Sequence, residues 1–249
     1  MKIKFLLIIF FFASYFCQAQ TELIELSDFV KDLNDVEKLK NIRGKNLKSF
    51  YILNSQVEIE RDLDFDYKHL RILVVPSPGE DFIINIIHKN GVILIGNVSI
   101  QTVSRERKIK SDFYFIENSS FVKQYVDKHN LKYDSNQKEQ DFYDFFMSEY
   151  TVGFGCGDLG NYINPISKET LRLIKKKNIA KLNEMLISIN PELQTLGAIG
   201  LIRINKLTVK QQEIIAELKK KNSVIFSCGG CVFNFGETFS ERLELEIRN

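Results

Sequence analysis

The chain has 249 residues, 44% of them hydrophobic and 27% charged, with 34 lysines and arginines against 32 aspartates and glutamates. That length supports a sizeable core without help from disulfides, in one domain or two. Lys2 and Lys4 account for the formal excess of +2, so the chain without its first residues is formally neutral, and the balance excludes the basic character of a nucleic-acid or anionic-membrane binder.

The N-terminus reads as a leader. A basic start, Met1-Lys2-Ile3-Lys4, precedes an apolar run from Phe5 to Phe16 and then Cys17-Gln18-Ala19, the three-part layout of a secretory signal peptide. The run is shorter than the roughly 20 residues that span a bilayer, so no stable membrane span is expected after leader removal. Lipidation at Cys17 would need a small residue before it, and Phe16 is large. Cleavage is therefore expected after Ala19, with residues 1–19 as signal peptide and the mature protein exported, periplasmic or secreted.

In residues 20–150 the pattern predicts an α+β region. Phe29, Val30, Leu33, Val36, Leu39 and Ile42 recur at helical spacing, with Ser27 placed to cap the helix. Strand signals follow at Phe50 to Leu53, Val57 to Ile59, and Leu70 to Val75, the last stopped by Pro76-Ser77-Pro78-Gly79. Phe82 to His88 and Val92 to Ile95 form a hairpin around Asn90-Gly91, a pair suited to the positive φ angles of a tight turn. Phe113 to Ile116 is a further strand. Ser119 or Ser120 is placed to cap a helix over Phe121 to His129, Lys132 to Lys138 reads as a loop, and Phe142, Phe145, Phe146 and Tyr150 make an aromatic stripe of the kind that fills a core.

Residues 151–249 read as helical. Ser167 precedes Leu171 and Ile174, and Ile179, Leu182, Met185, Leu186 and Ile189 make the next stripe. Asn190-Pro191-Glu192 supplies a cap, a proline at the first helical position and an acid in the first turn. The following helix carries Gly197 and Gly200, each costly against alanine, which predicts another backbone close by. Thr208 and Gln211 fit a capping box opening a helix through Leu218. The lysine runs Lys175-Lys176-Lys177 and Lys219-Lys220-Lys221 fall at helix ends, where cations face solvent and complement the dipole. From Ile179 to Leu218 the two helices around the Asn190-Pro191-Glu192 turn, with Leu196-Gly197-Ala198-Ile199-Gly200-Leu201 on the second, resemble a HEAT-type helical hairpin. That resemblance implies a protein-interaction scaffold, with a partner bound through the helical segment.

The chemical motifs are few. Gly155-Cys156-Gly157-Asp158-Leu159-Gly160 matches Gly-x-Gly-x-x-Gly, but Pro165 interrupts the helix such a phosphate cradle needs, and a glycine-rich connector is expected instead. Cys228-Gly229-Gly230-Cys231 admits a redox pair, a zinc site or a structural bridge. A redox centre needs a helix starting at its first cysteine, whereas Val232 to Phe235 looks extended. Zinc needs four ligands, and only three cysteines remain beside the scattered His69, His88 and His129. The disulfide candidates are thus Cys156, Cys228 and Cys231. A link from Cys156 to Cys228 or Cys231 stabilises by roughly 4 kcal/mol through loop entropy, against roughly 2 for the short ring, so the long bridge is favoured, leaving one thiol over. Asp62, Asp64 and Asp66 alternate with Leu63 and Phe65 and read as the solvated face of an edge strand, lacking the glycine and distal glutamate of a calcium loop. The Asn97-Val98-Ser99 and Asn118-Ser119-Ser120 acceptor triplets are discounted because the composition is bacterial in character.

No catalytic signature for zinc proteases, serine hydrolases or phosphate-binding loops is present, and no cofactor, metal or catalytic residue is assigned. The sequence points to an exported α+β protein with an N-terminal, mainly antiparallel sheet and flanking helices. A short HEAT-like helical hairpin segment follows, closed by a cysteine-bearing strand. The leading functional expectation is a non-enzymatic structural or protein-interaction protein of the cell envelope. The alternative is thiol-disulfide exchange with Cys228 as nucleophile and Cys231 as resolving thiol, and a third is a ligand binder using the aromatic stripe.

Overall fold

The computed structural model describes residues 19–101, 109–148, 150–156, 162–205, 207–229 and 232–248. The fold is α+β: a five-stranded antiparallel sheet with helices, then a helical region, then a two-stranded sheet. It divides into two compact units, the first reaching Glu58 and resuming over Leu70–Glu117, the second made of Ile59–His69 and Asn118 onward. Residues 1–18 of the predicted leader and the Gly157 to Gly160 part of the glycine-rich motif lie outside the described residues, as does Cys231.

The first unit opens in helix over residues 19–33 (α1), whose Leu23, Leu26 and Val30 are buried along one face. Ser27, expected as the cap, lies inside this helix and is buried, because the apolar stripe already begins at Leu23. The single helix expected across Leu26 to Ile42 is two: Asn34 turns left-handed (φ 36°), and Asp35 then caps the short α2, Val36–Leu39, by accepting from Glu37 N and Lys38 N (3.0 and 3.1 Å). Competition from a capping side chain stops the first helix before its apolar pattern ends.

The sheet runs in chain order, β1 (Tyr51–Asp62), β2 (Lys68–Ser77), β3 (Phe82–Lys89), β4 (Val92–Gln101) and β5 (Ile109–Ile116). The β3–β4 hairpin forms at the predicted pair, with Asn90 and Gly91 both at positive φ (52° and 80°) and Lys89 opposite Val92. These angles match the twist of the flanking strands. Seven of the eight residues of β3 are buried, as befits the central strand. Leu26 and Val30 of α1 and Val36 and Leu39 of α2 pack with Ile52, Leu70, Ile72, Phe82, Ile84 and Val98 into one core. Gly96 of β4 lies under the ring of Phe115, whose Cε1 would stand 2.8 Å from a Cβ there, so only glycine admits that ring.

In the second unit, α3 (Ser119–Tyr133) is capped by Asn118, which accepts from Phe121 N at 3.0 Å, rather than by Ser119 or Ser120. The helix also runs through Lys132, shortening the expected loop. After α4 (Glu139–Met147), α5 (Pro165–Lys175) starts at Asn164-Pro165 and encloses Ser167, the residue expected before it. Asn164 has the shorter reach to an orphan amide, that of Ser167 itself (2.9 Å). Then come α6 (Ile179–Leu186), α7 (Pro191–Ile204), capped by Asn190 as read from sequence, and α8 (Val209–Lys221), opened by the Thr208–Gln211 capping box. The two glycines of α7 face α6: a Cβ on Gly197 would stand 2.7 Å from Leu182 O and 2.8 Å from Leu186 Cα. Strands β6 (Val224–Gly229) and β7 (Val232–Thr238) pair antiparallel, and α9 (Phe239–Arg248) follows. This last helix has its own capping signal, Thr238 and Glu241 bonding each other's backbone amides (2.8 and 3.4 Å). Leu182, Leu186, Leu196, Ile199, Ile215, Leu218, Ile225 and Leu243 form the core of this unit.

Candidate functional site

Of the three disulfide candidates, Cys156 and Cys228 are joined, with Cα atoms 5.6 Å apart and a sequence separation of 72. The backbone brings them together independently of the bond. Residue Val152 pairs in parallel with β6, donating to Phe226 O (2.8 Å) and accepting from Cys228 N (3.0 Å). Gly153 lies against the bridge, where a Cβ would be 2.6 Å from the Cys156 sulfur. Both sulfurs belong to buried residues, so attack on Cys228 as a nucleophile would first require this bridge to open. His69, His88 and His129 are all buried, and among the described residues no group of three or more His, Cys, Asp or Glu is placed to hold a metal ion.

The aspartate triplet differs from its sequence reading. Asp64 is not on a strand face but in a tight turn, Asp64–Asp66, at the tip of the β1–β2 hairpin, where Phe65 and Asp66 both adopt left-handed φ (64° and 62°). Its carboxylate is buried, accepting from Lys132 Nζ at 2.9 Å and Tyr133 Oη at 3.1 Å, with Lys221 Nζ at 3.4 Å and His129 Nδ1 at 3.7 Å. Burial raises its pKa, but the His129 contact and the two ammonium groups outweigh that and hold the carboxyl far below the usual carboxylate range. Lys221, expected in solvent at a helix end, is drawn in by this acid, and burial pushes its ammonium pKa down. The Tyr133 hydroxyl is pushed up, by burial and by the neighbouring carboxylate. Such a cluster is closed, one buried carboxylate shared by two ammonium groups, a hydroxyl and an imidazole, which fits fold specification better than turnover.

The second unit carries a cleft of about 340 Å³ among α4, α5, α6 and the start of α7. Its apolar wall is Phe145 from α4, Ile166 and Leu173 from α5, Met185 from α6 and Leu193 from α7. Helical spacing explains the set: Asp141, Asp144 and Phe145 fall on one face of α4 at i, i+3 and i+4, so two carboxylates stand beside the ring. Glu169 and Glu184 add two more, and Lys181 is the one cation in the lining. Behind the wall, the Arg61 guanidinium lies 5.3 Å from the Phe145 ring centroid and pairs with Glu192 at 2.5 Å. The Glu192 carboxylate also accepts from Phe226 N (3.0 Å), so a buried charge pair ties the first turn of α7 to β6. Gln137 is fixed in turn by a double hydrogen bond to Asn130 (both 2.8 Å).

The aromatic stripe divides between core and cleft. Phe142 and Phe146 are fully enclosed, while Phe145 and Tyr150 reach the cleft wall. Sequence reasoning missed the four acids because they come from three helices. It also missed Glu192, since an acid in a first turn reads as a dipole partner whether or not an arginine waits beneath it. The titratable groups of the cleft lining are four carboxylates, one lysine and the Tyr150 hydroxyl. Comparison with known proteins finds no matching family, no matching curated protein and no matching solved structure.

Proposed function

We propose that this is an exported, non-enzymatic interaction protein of the cell envelope, which receives a partner in the cleft of its helical unit. The cleft itself carries the reading: a concave, partly apolar surface built on helices, backed by a buried ion pair and lined by acidic and apolar side chains suited to recognition. The HEAT-like pattern from Ile179 to Leu218 supports it, since α6 and the start of α7 provide one side of the cleft. The leader pattern and the Cys156–Cys228 bridge agree with an oxidising compartment outside the cytoplasm.

Three measurements test this. Sequencing of the mature N-terminus is expected to begin at Gln20; a retained Met1 would refute export by cleavage. Capture of an envelope partner by the purified protein is expected to be lost in Met185→Arg, whose long side chain fills the cleft, while the melting temperature stays close to wild type. Capture indifferent to that substitution would place the interaction elsewhere. Turnover of a small-molecule disulfide, abolished by Cys231→Ser, would establish thiol exchange instead.

A further inference from the structure

The charge on the cleft is not evenly satisfied. Glu169 is paired with Arg172 of its own helix, and Glu184 with Lys181 at 2.6 Å. Asp141 and Asp144, on the opposite side, have no cation among the described residues: Asp141 accepts from Lys138 N (2.6 Å) and Asp144 from the Gln140 amide (2.8 Å). Taken together the lining residues carry three net negative charges beside an apolar wall. A second, independent feature lies in the same wall. Asn190 is 3% exposed and spends its Oδ1 on capping α7 (Leu193 N, 2.9 Å), which leaves its Nδ2 as a buried donor with no hydrogen-bond partner. A buried donor left unmade costs about 1–3 kcal/mol, so a ligand carbonyl that accepts from it recovers that cost on binding.

Resting on the binding role proposed above, we infer that the cleft takes a basic peptide segment. The aliphatic stem of a lysine or arginine lies against Phe145, Leu173, Met185 and Leu193, its cation reaches Asp141 and Asp144, and a backbone carbonyl of the segment accepts from Asn190. Each part of the site matches one part of such a residue: apolar stem, terminal charge, main-chain acceptor. A volume of about 340 Å³ admits one or two side chains, the scale of a linear motif rather than of a folded domain.

The test uses the full exported protein and fluorescence anisotropy with a labelled hexapeptide of alternating leucine and arginine, a version of the same length with glutamate in place of arginine, and spermidine as a competitor. The basic peptide is expected to bind at least tenfold more tightly than the acidic one, to lose affinity about tenfold in Asp141→Asn/Asp144→Asn, and to weaken further with added salt. Both aspartates are exposed, and the amide at 141 keeps an oxygen for Lys138 N, so the double variant is expected to melt like wild type. Equal binding of both peptides, or binding unchanged in the double variant, overturns the basic class. Competition by spermidine as strong as by unlabelled peptide overturns the peptide in favour of a free polyamine. If partner capture remains sensitive to Met185→Arg while the basic peptide fails, the docking role stands and only this ligand class falls.

Discussion

Asp64 shows how one side chain can be read correctly for type and wrongly for place. Three alternating aspartates look like a wet strand edge, yet the middle one is the anion around which two lysines, a tyrosine and a histidine gather. Because its folded pKa is depressed, its contribution to stability is fully present above the ordinary carboxylate value of 3.8 and is lost as pH falls through the folded value. At neutral pH, Asp64→Asn is expected to cost about 3 kcal/mol, since Lys132 and Lys221 lose their buried partner. Urea midpoints measured from pH 7 to pH 2 should show the gap between wild type and variant closing only below about pH 4; a gap constant over that range would mean the carboxylate is not charged in the folded protein. Asn85 and Asn97 make the opposite point. They stand opposite each other on β3 and β4, fully buried, with both amide groups unpartnered among the described residues, and no pattern of residues foretold polar pairs there.

At the level of elements, the α6–α7 pair rests on two missing side chains. Gly197 lets the Leu182 carbonyl and the Leu186 backbone approach, and Gly200 takes the Leu182 side chain. The neighbours at Gly197 are main chain and cannot rotate away, so Gly197→Ala must push the helices apart. A loss of about 3 kcal/mol is expected, near the upper end for overpacking and larger than for Gly200→Ala, where a leucine rotamer can yield. Thermal melts of the two variants decide it: a more stable Gly197→Ala would show that the glycine is merely a weak helix former. The caps were mostly legible as positions where a helix must start, and less so as particular residues. Asn118 and Asn164 took roles assigned to nearby serines, because the residue whose backbone is non-helical at the boundary wins the cap. The α9 helix went unread although Thr238 and Glu241 spell its capping box, since its Leu243-Glu244-Leu245-Glu246-Ile247 run alternates like a strand.

For the molecule as a whole, the Cys156–Cys228 bridge closes a long covalent loop in the second unit, running from the segment before α5 to β6. Loop entropy gives it about 4 kcal/mol, so reductant is expected to lower the melting temperature markedly, and Cys156→Ser/Cys228→Ser to reproduce that loss without further response to reductant. A reductant effect persisting in the double variant would point to Cys231 instead. Legibility from sequence followed the range of the interaction. Hairpin β3–β4, the Asn190 and Thr208 caps and the close glycines were readable because backbone sterics and neighbours a few residues away decide them. The order of α and β regions was readable because periods of 2 and 3.6 are local as well. What only the tertiary structure decided is which distant residues meet: Arg61 with Glu192, Lys221 with Asp64, Cys156 with Cys228 rather than Cys231, and four carboxylates from three helices around one cleft. Those pairings depend on how helices pack in space, and a charge or thiol carries no mark along the chain of the partner it will face.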